Sequence, residues 1–276
     1  MKEVAIITGA SGGIGFELAL LFAKKNIDIL LAGRNKHKLE IVKNTILDKY
    51  NINVFCVATD LSLSDGREAI YNCVANNHLT VTYLVNNAGF GDYGLFIERS
   101  MEKYTEMLNL NIVALTELTY YYAKEMKKNG KGRILNVAST AGIQPDPFFA
   151  VYGASKAYVI SFTEALHKEF ENTGVTATVL SPGATKTDFI ERADMKHAKL
   201  YDSGVMSAID VAAVGFNGMM NGKLHVVPGF KNKILAEDGQ ELPGELKLSL
   251  TASIQEKLVP LQAKFETVLV EVEKLL

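Results

Sequence analysis

The sequence predicts an α/β fold in which one parallel sheet of about seven strands is doubly wound, with helices on both faces. Three observations carry that expectation. Short apolar, β-rich runs alternate with longer helical patterns through most of the chain. Several of those runs lack the in-and-out alternation of a half-exposed sheet, as expected of parallel strands covered on both faces. The first run also ends in a glycine-rich turn that opens directly into a helix. Alternation of this kind argues for βα units with right-handed crossovers.

Taken in order, the runs Val4–Thr8, Ile27–Ala32, Val54–Ala58, Tyr83–Asn86, Arg133–Ala138, Thr176–Ser181 and Leu224–Val227 read as buried strands. Between them, Gly13–Lys25, Lys36–Tyr50, Ser64–Asn77, Met101–Lys128, Tyr152–Thr173 and Ile209–Asn221 read as helices. No linker interrupts this pattern before residue 236, so residues 1–235 read as one domain. The remainder, 236–276, is different. Its first part, Glu237–Ser253, is polar and broken by Gly239, Pro243 and Gly244, the composition of a loop. After it, Ile254, Leu258, Leu261, Phe265, Val268, Val272 and Leu275 recur in alternating steps of four and three, which predicts a C-terminal amphipathic helix. Pro260 falls inside that stripe, so the regular helix is expected to begin or kink there.

Composition narrows the function classes. The 276 residues are 48% hydrophobic and 22% charged, enough for a packed core and too little charge for disorder. A formal net charge of −2 gives no general reason to expect nucleic-acid binding. Residues 237–276 hold eight acids and four lysines, so the acidity belongs to the tail and the rest of the chain is slightly basic. Cys56 and Cys73 are too few for a disulfide framework or a thiolate zinc site, and the five histidines form no HxH or HxxxH pair, so no metal is expected. No run approaches the roughly 18 apolar residues of a membrane span, and Met1-Lys2-Glu3 leads straight into the first strand rather than into a signal peptide. The expected compartment is therefore the cytoplasm.

The first chemical signal is Thr8-Gly9-Ala10-Ser11-Gly12-Gly13-Ile14-Gly15. Glycines there let the backbone turn sharply and approach a pyrophosphate without a Cβ in the way, and the helix amino terminus beyond them offers free N–H groups to phosphate. This is the arrangement of a Rossmann-type fold. The second signal is Tyr152 and Lys156, which share a helix face at i and i+4. A free tyrosine has a pKa of about 10, too high for ready proton exchange near neutrality, and a nearby ammonium lowers it. Ser139, at the end of a neighbouring strand, can hydrogen-bond the same substrate oxygen. Strand carboxyl ends are where ligands bind in open α/β sheets.

The glycine spacing is GxxxGxG, and with four further motifs the sequence resembles the short-chain dehydrogenase/reductase family over about residues 3–230. The further motifs are Asn86-Asn87-Ala88-Gly89, Asn111 in the long helix, Ser139 followed thirteen residues later by Tyr152-Gly153-Ala154-Ser155-Lys156, and Pro182-Gly183 with Thr187 beyond. The resemblance implies that Tyr152 exchanges the proton with the carbonyl oxygen while Lys156 lowers its pKa and binds the nicotinamide ribose. Ser139 would polarise the carbonyl, and Asn111 would hold a water linking Lys156 to solvent. It also implies a cofactor site built from Gly9, Ser11, Gly13, Ile14, Gly15, Asp60, Leu61, Asn87, Ala88, Gly89, Tyr152, Lys156, Pro182, Gly183 and Thr187.

Cofactor choice turns on the end of the second strand, Ala32-Gly33-Arg34-Asn35, which lacks the acid that accepts from the ribose hydroxyls of NAD. Arg34 can pair with a 2′-phosphate through its planar fork and Lys38 can add charge, which points to NADP(H). The loop Gly142–Phe149, with Phe90, Phe189, Met195, Val205 and Met206, would suit an apolar ketone, although Phe148 or Phe189 can equally anchor a loop to the core. The stretches around Arg34 and Pro182 look like the branch that includes 3-oxoacyl and hydroxysteroid reductases. The expected function is an NADPH-dependent carbonyl reductase or the reverse alcohol dehydrogenase, acting on a small-molecule ketone or alcohol. The alternative is a non-catalytic NADP(H)-sensing regulator on the same fold, a class expected to lose the tyrosine or lysine. By resemblance, the long helices would build a homodimer or homotetramer.

Overall fold

The computed structural model describes residues 3–189, 193, 205–229 and 232. The amphipathic stripe beyond residue 236 and Met195 lie outside the described residues. Six strands, β1 (Glu3–Thr8), β2 (Asp28–Gly33), β3 (Val54–Ala58), β4 (Thr80–Asn86), β5 (Gly132–Val137) and β6 (Val175–Leu180), alternate with helices. A short β7 (Thr185–Lys186) and β8 (Met206–Ser207) follow, and β9 (His225–Val226) completes the main sheet. The seven-stranded sheet runs β3-β2-β1-β4-β5-β6-β9 and every pairing in it is parallel. This is a Rossmann-type α/β fold.

Strand composition explains how the layers form. Successive side chains of a strand point to opposite faces, so β1 sends Ala5 and Ile7 to one layer and Val4 and Ile6 to the other. The first layer covers them with Leu18 and Phe22 of α1 (Gly13–Lys24), Leu39 and Ile46 of α2 (Lys36–Leu47) and Phe216 of a late helix, Ala208–Met220. The second uses Ile70 of α3 (Ser64–Asn76) and Leu118 and Tyr122 of the helix Leu115–Asn129. Both faces of β1 are thus dry, which is why its sequence shows no alternation.

One predicted helix is divided. The stretch expected as a single helix over Met101–Lys128 forms α4 (Met101–Leu108), a π-helical segment Asn109–Ala114 and α5 (Leu115–Asn129). Such wide turns often occur at functional sites, and the physical reason here is Asn111. Its side chain bonds both backbone groups of Phe90, with Nδ2 donating to the carbonyl at 3.0 Å and Oδ1 accepting from the amide at 3.2 Å. The π-turn carries Asn111 inward to make that pair. The following helices are α6 (Ala150–Glu169) and α7 (Ala208–Met220). The parallel pair β7–β8 has no signal in the sequence, since two-residue strands carry no periodicity.

Candidate active site

The strand order reverses between β1 and β4, which opens a crevice at their carboxyl ends. The residues there are knitted together by Thr8, a residue the sequence does not single out. Its Oγ1 accepts from the amides of Asn87 and Ala88, both at 3.0 Å, while Asn87 Nδ2 donates to the carbonyls of Thr8 at 2.9 Å and Gly9 at 3.2 Å. Gly9 has φ +65° and Gly13 φ +54°, left-handed values that favour glycine. A Cβ on Gly15 would lie 2.5 Å from the Gly9 carbonyl oxygen, so the turn closes only without one.

The start of α1 is built for an anion. Helices α2, α4 and α7 begin with a side-chain cap, from Asn35, Ser100 and Ser207 respectively. Helix α1 has Gly12 as its N-cap, which provides no side-chain hydrogen bond, as is also true of α3 and α6. What sets α1 apart is its place directly after β1 at the switch point, where its first N–H groups and the positive end of its dipole fit a pyrophosphate.

At the β5 end of the crevice, Ser139 caps the short 3₁₀ turn Thr140–Gly142, its Oγ accepting from the Ala141 amide at 3.2 Å. That turn lies directly on α6. A Cβ on Gly142 would sit 2.5 Å from the Lys156 carbonyl carbon, and one on Gly153 would sit 3.0 Å from the Ala141 oxygen. Two glycines in adjacent motifs therefore bring Ser139 beside the helix that carries Tyr152 and Lys156. Lys156 is buried and its Nζ donates to the Val137 carbonyl at 2.9 Å. Burial lowers its pKa to about 8, since a low-dielectric site disfavours the ammonium. Nζ lies 5.7 Å from the centre of the Tyr152 ring.

Gly89 joins the two halves, because a Cβ there would lie 2.9 Å from Asn111 Oδ1 and 3.2 Å from Lys156 Nζ. Asn111 is further tied to α6 through Ser155, which accepts from Asn111 Nδ2 at 3.1 Å and donates to the Tyr152 carbonyl at 2.7 Å. The sequence pointed to neither Ser155 nor the Val137 carbonyl. The first has a signal, a serine one residue before the lysine, whereas a backbone acceptor has none. Pro182 also borders this end, its carbonyl accepting from the Thr140 amide at 2.9 Å and from Ser139 Oγ at 3.5 Å.

Aromatic rings enclose Tyr152. Phe149 lies 4.4 Å and Phe189 5.4 Å from it, centre to centre, and Phe90, Tyr93 and Tyr104 complete the cluster. Phe148 carries φ +63°, an uncommon conformation for a bulky side chain, and its carbonyl accepts from Gly94 at 2.8 Å. Beneath the loop that carries Tyr93, the buried Asp92 receives Arg99 Nε at 2.9 Å and Lys103 Nζ at 2.5 Å. Burial pushes the Asp92 carboxyl up, but the hydrogen bonds from Arg99 and Lys103 outweigh it and hold the pKa below the usual carboxylate range. Met206 does not join the aromatic cluster. It packs against the core beside α1 and α7, because pairing with β7 sets it there.

The adenosine end is arranged differently. Leu61 is buried in the core layer shared with Ile70, so only its backbone can face a ligand. Asp60 Oδ1 accepts from the Ser62 amide at 2.9 Å and from its hydroxyl at 2.7 Å. Arg34 Nη1 donates to Glu106 Oε1 at 2.8 Å and lies 3.8 Å from Asp60 Oδ2. Thr187 sits over the glycine turn, where a Cβ on Gly13 would come within 2.9 Å of its Cγ2.

One other constellation has the connectivity of a hydrolase triad. Ser181 Oγ lies 2.8 Å from His225 Nε2, and His225 Nδ1 lies 3.3 Å from Glu164 Oε1. Ser181 is 0% exposed, so no substrate reaches it, and the chain of bonds instead ties β6, β9 and α6 together. Among the described residues no group of three or more His, Cys, Asp or Glu could hold a metal ion, and no helix is long and apolar enough to cross a membrane.

A glycine turn feeding an uncapped helix, with a Tyr–Lys pair facing it across a topological switch point, defines a dinucleotide-dependent oxidoreductase architecture. The short chain dehydrogenase family model matches residues 3–198, and the chain belongs to that family. The very-long-chain 3-oxoacyl-CoA reductase of Rattus norvegicus is 32% identical over 242 residues, covering 85% of this chain and 76% of that protein. The 7beta-hydroxysteroid dehydrogenase of Mediterraneibacter gnavus is 31% identical over 185 residues, 67% of this chain and 70% of its own. Among solved structures, a short-chain dehydrogenase from Sphingobium yanoikuyae in complex with NADPH superposes with a TM-score of 0.78 at 28% identity, covering 87% of this chain and 94% of that one.

Proposed function

We propose that the protein is an NADP(H)-dependent carbonyl reductase, or in reverse an alcohol dehydrogenase, for a lipophilic ketone or 3-oxoacyl substrate. The observation that carries this reading is the buried Lys156, held by the Val137 carbonyl one helical turn from Tyr152 and beside Gly89 and Asn111. A lysine this deeply buried is costly as a mere surface charge, and it is well set to act on a neighbouring phenol.

The bound cofactor supplies the hydride. Gly9, Ser11, Gly13, Ile14 and Gly15 would hold its pyrophosphate at the start of α1, with Arg34 and Lys38 toward a 2′-phosphate. The backbones of Asp60 and Leu61 would border the adenine, and Asn87, Ala88, Gly89, Pro182, Gly183 and Thr187 the remaining length. Tyr152 donates its phenolic proton to the substrate oxygen, and Ser139 Oγ donates a hydrogen bond to the same oxygen, stabilising the charge that develops there. Lys156 favours the phenolate left behind, returns a proton to it, and would contact the nicotinamide ribose of the bound cofactor. Asn111 fixes the Phe90 backbone and Ser155 and would hold the water that replaces the proton Lys156 passes to that phenolate. The rings of Phe90, Phe149 and Phe189 exclude water from the reacting carbonyl.

Three lines support the finer points. The structural neighbour from Sphingobium yanoikuyae was solved with NADPH. The relatives are named for very-long-chain 3-oxoacyl-CoA and 7beta-hydroxysteroid substrates, whose acyl chain and steroid rings are apolar, in keeping with the aromatic walls. Exposed Tyr120 and Tyr121 on α5 and Tyr158 on α6 favour a homodimer or homotetramer built on those helices. The reading also takes residues 1–235 as the catalytic unit, 236–276 as an appended segment, and the cytoplasm as the compartment. The test is oxidation of NADPH against NADH over a panel of a 3-oxoacyl thioester, a steroid ketone, a small diketone and a sugar ketone. NADPH-dependent turnover of the apolar ketones is expected, and preference for NADH would overturn the cofactor assignment.

A further inference from the structure

The two cations assigned to the 2′-phosphate already have carboxylate partners, and the two partners differ in kind. Arg34 is held by Glu106 of α4. Lys38, whose amide is capped by Asn35 at the start of α2, sends its Nζ 2.9 Å to Oδ2 of Asp188, 150 residues away. Asp188 belongs to a short strap that leaves β7. Its preceding residue, Thr187, packs on Gly13, where the pyrophosphate is assigned. Its following residue, Phe189, hydrogen-bonds back to Thr187 Oγ1 at 3.3 Å and lays its ring 5.4 Å from that of Tyr152. Lys38 and Asp188 therefore tie α2 to a strap that touches both the glycine turn and the catalytic tyrosine.

We propose that Asp188 is an internal competitor for the 2′-phosphate: Lys38 exchanges Asp188 for the phosphate when NADP(H) binds, and this exchange unties from α2 the strap that carries Thr187 and Phe189, which is then free to settle on the rest of the cofactor. The inference rests on the NADP(H) reading above. The side chains of Lys38 and Asp188 are 45% and 62% exposed, so the pair is weak and readily exchanged. A phosphate monoester carries more charge than a carboxylate and offers more acceptor oxygens, so it wins Lys38 once it is bound. A cofactor without a 2′-phosphate leaves the tie intact. Asp188 thus makes strap release conditional on the same group that Arg34 and Lys38 read, and it acts as a positioning residue rather than a catalytic one.

The experiment uses fragments that occupy only the adenosine end, 2′,5′-ADP and 5′-AMP, titrated calorimetrically into the full chain. It compares wild type, Asp188→Asn, Lys38→Met and the double variant. Asp188→Asn is expected to tighten 2′,5′-ADP by about two- to fivefold, the scale of an exposed ion pair, with 5′-AMP unchanged. In the Lys38→Met background the same substitution should have no effect, which separates competition for Lys38 from a general change in charge. In wild type, amide hydrogen exchange over residues 184–189 should rise with 2′,5′-ADP and stay level with 5′-AMP. If wild type binds both nucleotides equally, the NADP(H) reading itself fails. If wild type prefers 2′,5′-ADP but Asp188→Asn leaves that affinity unchanged, or the strap exchanges alike with both, the competitor role is overturned and the cofactor reading stands.

Discussion

At the β5–α6 end of the crevice the polar side chains are buried and bonded within the protein, whereas the β2–α2 end is lined by exposed ion pairs. Asn111 and Lys156 are at most 4% exposed, and each is fixed by backbone groups. Arg34 is 53% exposed and leans on Glu106 and Asp60. Buried, satisfied polar groups are expensive to disturb, while exposed pairs contribute little and rearrange easily. The first arrangement suits proton transfer, which needs fixed geometry. The second suits recognition of a ligand's charge, which needs partners that can be exchanged.

That contrast can be broken from either side. The largest effect is expected of Tyr152→Phe, which removes the proton donor and keeps the ring in its aromatic cage. Turnover should fall by about 10²–10⁴-fold, with NADPH affinity measured by titration essentially retained. Asn111→Leu should come next. It strands the Phe90 amide and carbonyl and breaks the link to Ser155, so thermal unfolding should show a loss of about 1–3 kcal/mol together with lower activity. At the other end, Arg34→Gln should leave the melting temperature within the range of ordinary surface changes and weaken NADPH about tenfold, NADH being unaffected. A variant at Arg34 that lost stability instead would erase the distinction between the two ends.

The smallest effect is one of pH. Burial brings Lys156 down to about 8 from the ordinary 10.5, so its charge is lost first in the folded protein. Between those two values the unfolded chain binds the extra proton, and stability should therefore rise with pH across that window. Activity should move the other way, the rate of reduction falling a few-fold as pH passes about 8 and the ammonium beside Tyr152 disappears. In Lys156→Gln both dependences should vanish, as seen in paired melting and rate profiles.

The same contrast explains what could be read from the sequence. Strands buried on both faces announce themselves as unbroken apolar runs, and β1 and β5 fall close to their expected bounds, as does β3 at the half-exposed sheet edge. Tyr152 and Lys156 were visible because helical spacing alone puts them on one face. The π-turn at Asn109–Ala114 was not, since widening one turn barely alters the apolar periodicity and its cause is a long-range bond to Phe90. Nor could the sequence show that Val137 holds Lys156, because a carbonyl acceptor has no residue signature. Arg34 and Lys38 were legible as cations, but their carboxylate partners, Glu106 and Asp188, come from segments that only the fold brings near. Leu61 was expected to border the adenine, and the core takes its side chain, which leaves its backbone for that role.

Proton transfer by Tyr152 to a carbonyl reduced at the expense of NADPH is the step on which the proposed activity depends most. Consumption of NADPH should be followed by absorbance with a 3-oxoacyl thioester and a steroid ketone, for wild type and Tyr152→Phe at equal, verified NADPH occupancy. Wild type should turn over, and the variant should lose nearly all turnover while NADPH stays bound. Full turnover by Tyr152→Phe would contradict the role of Tyr152 as proton donor.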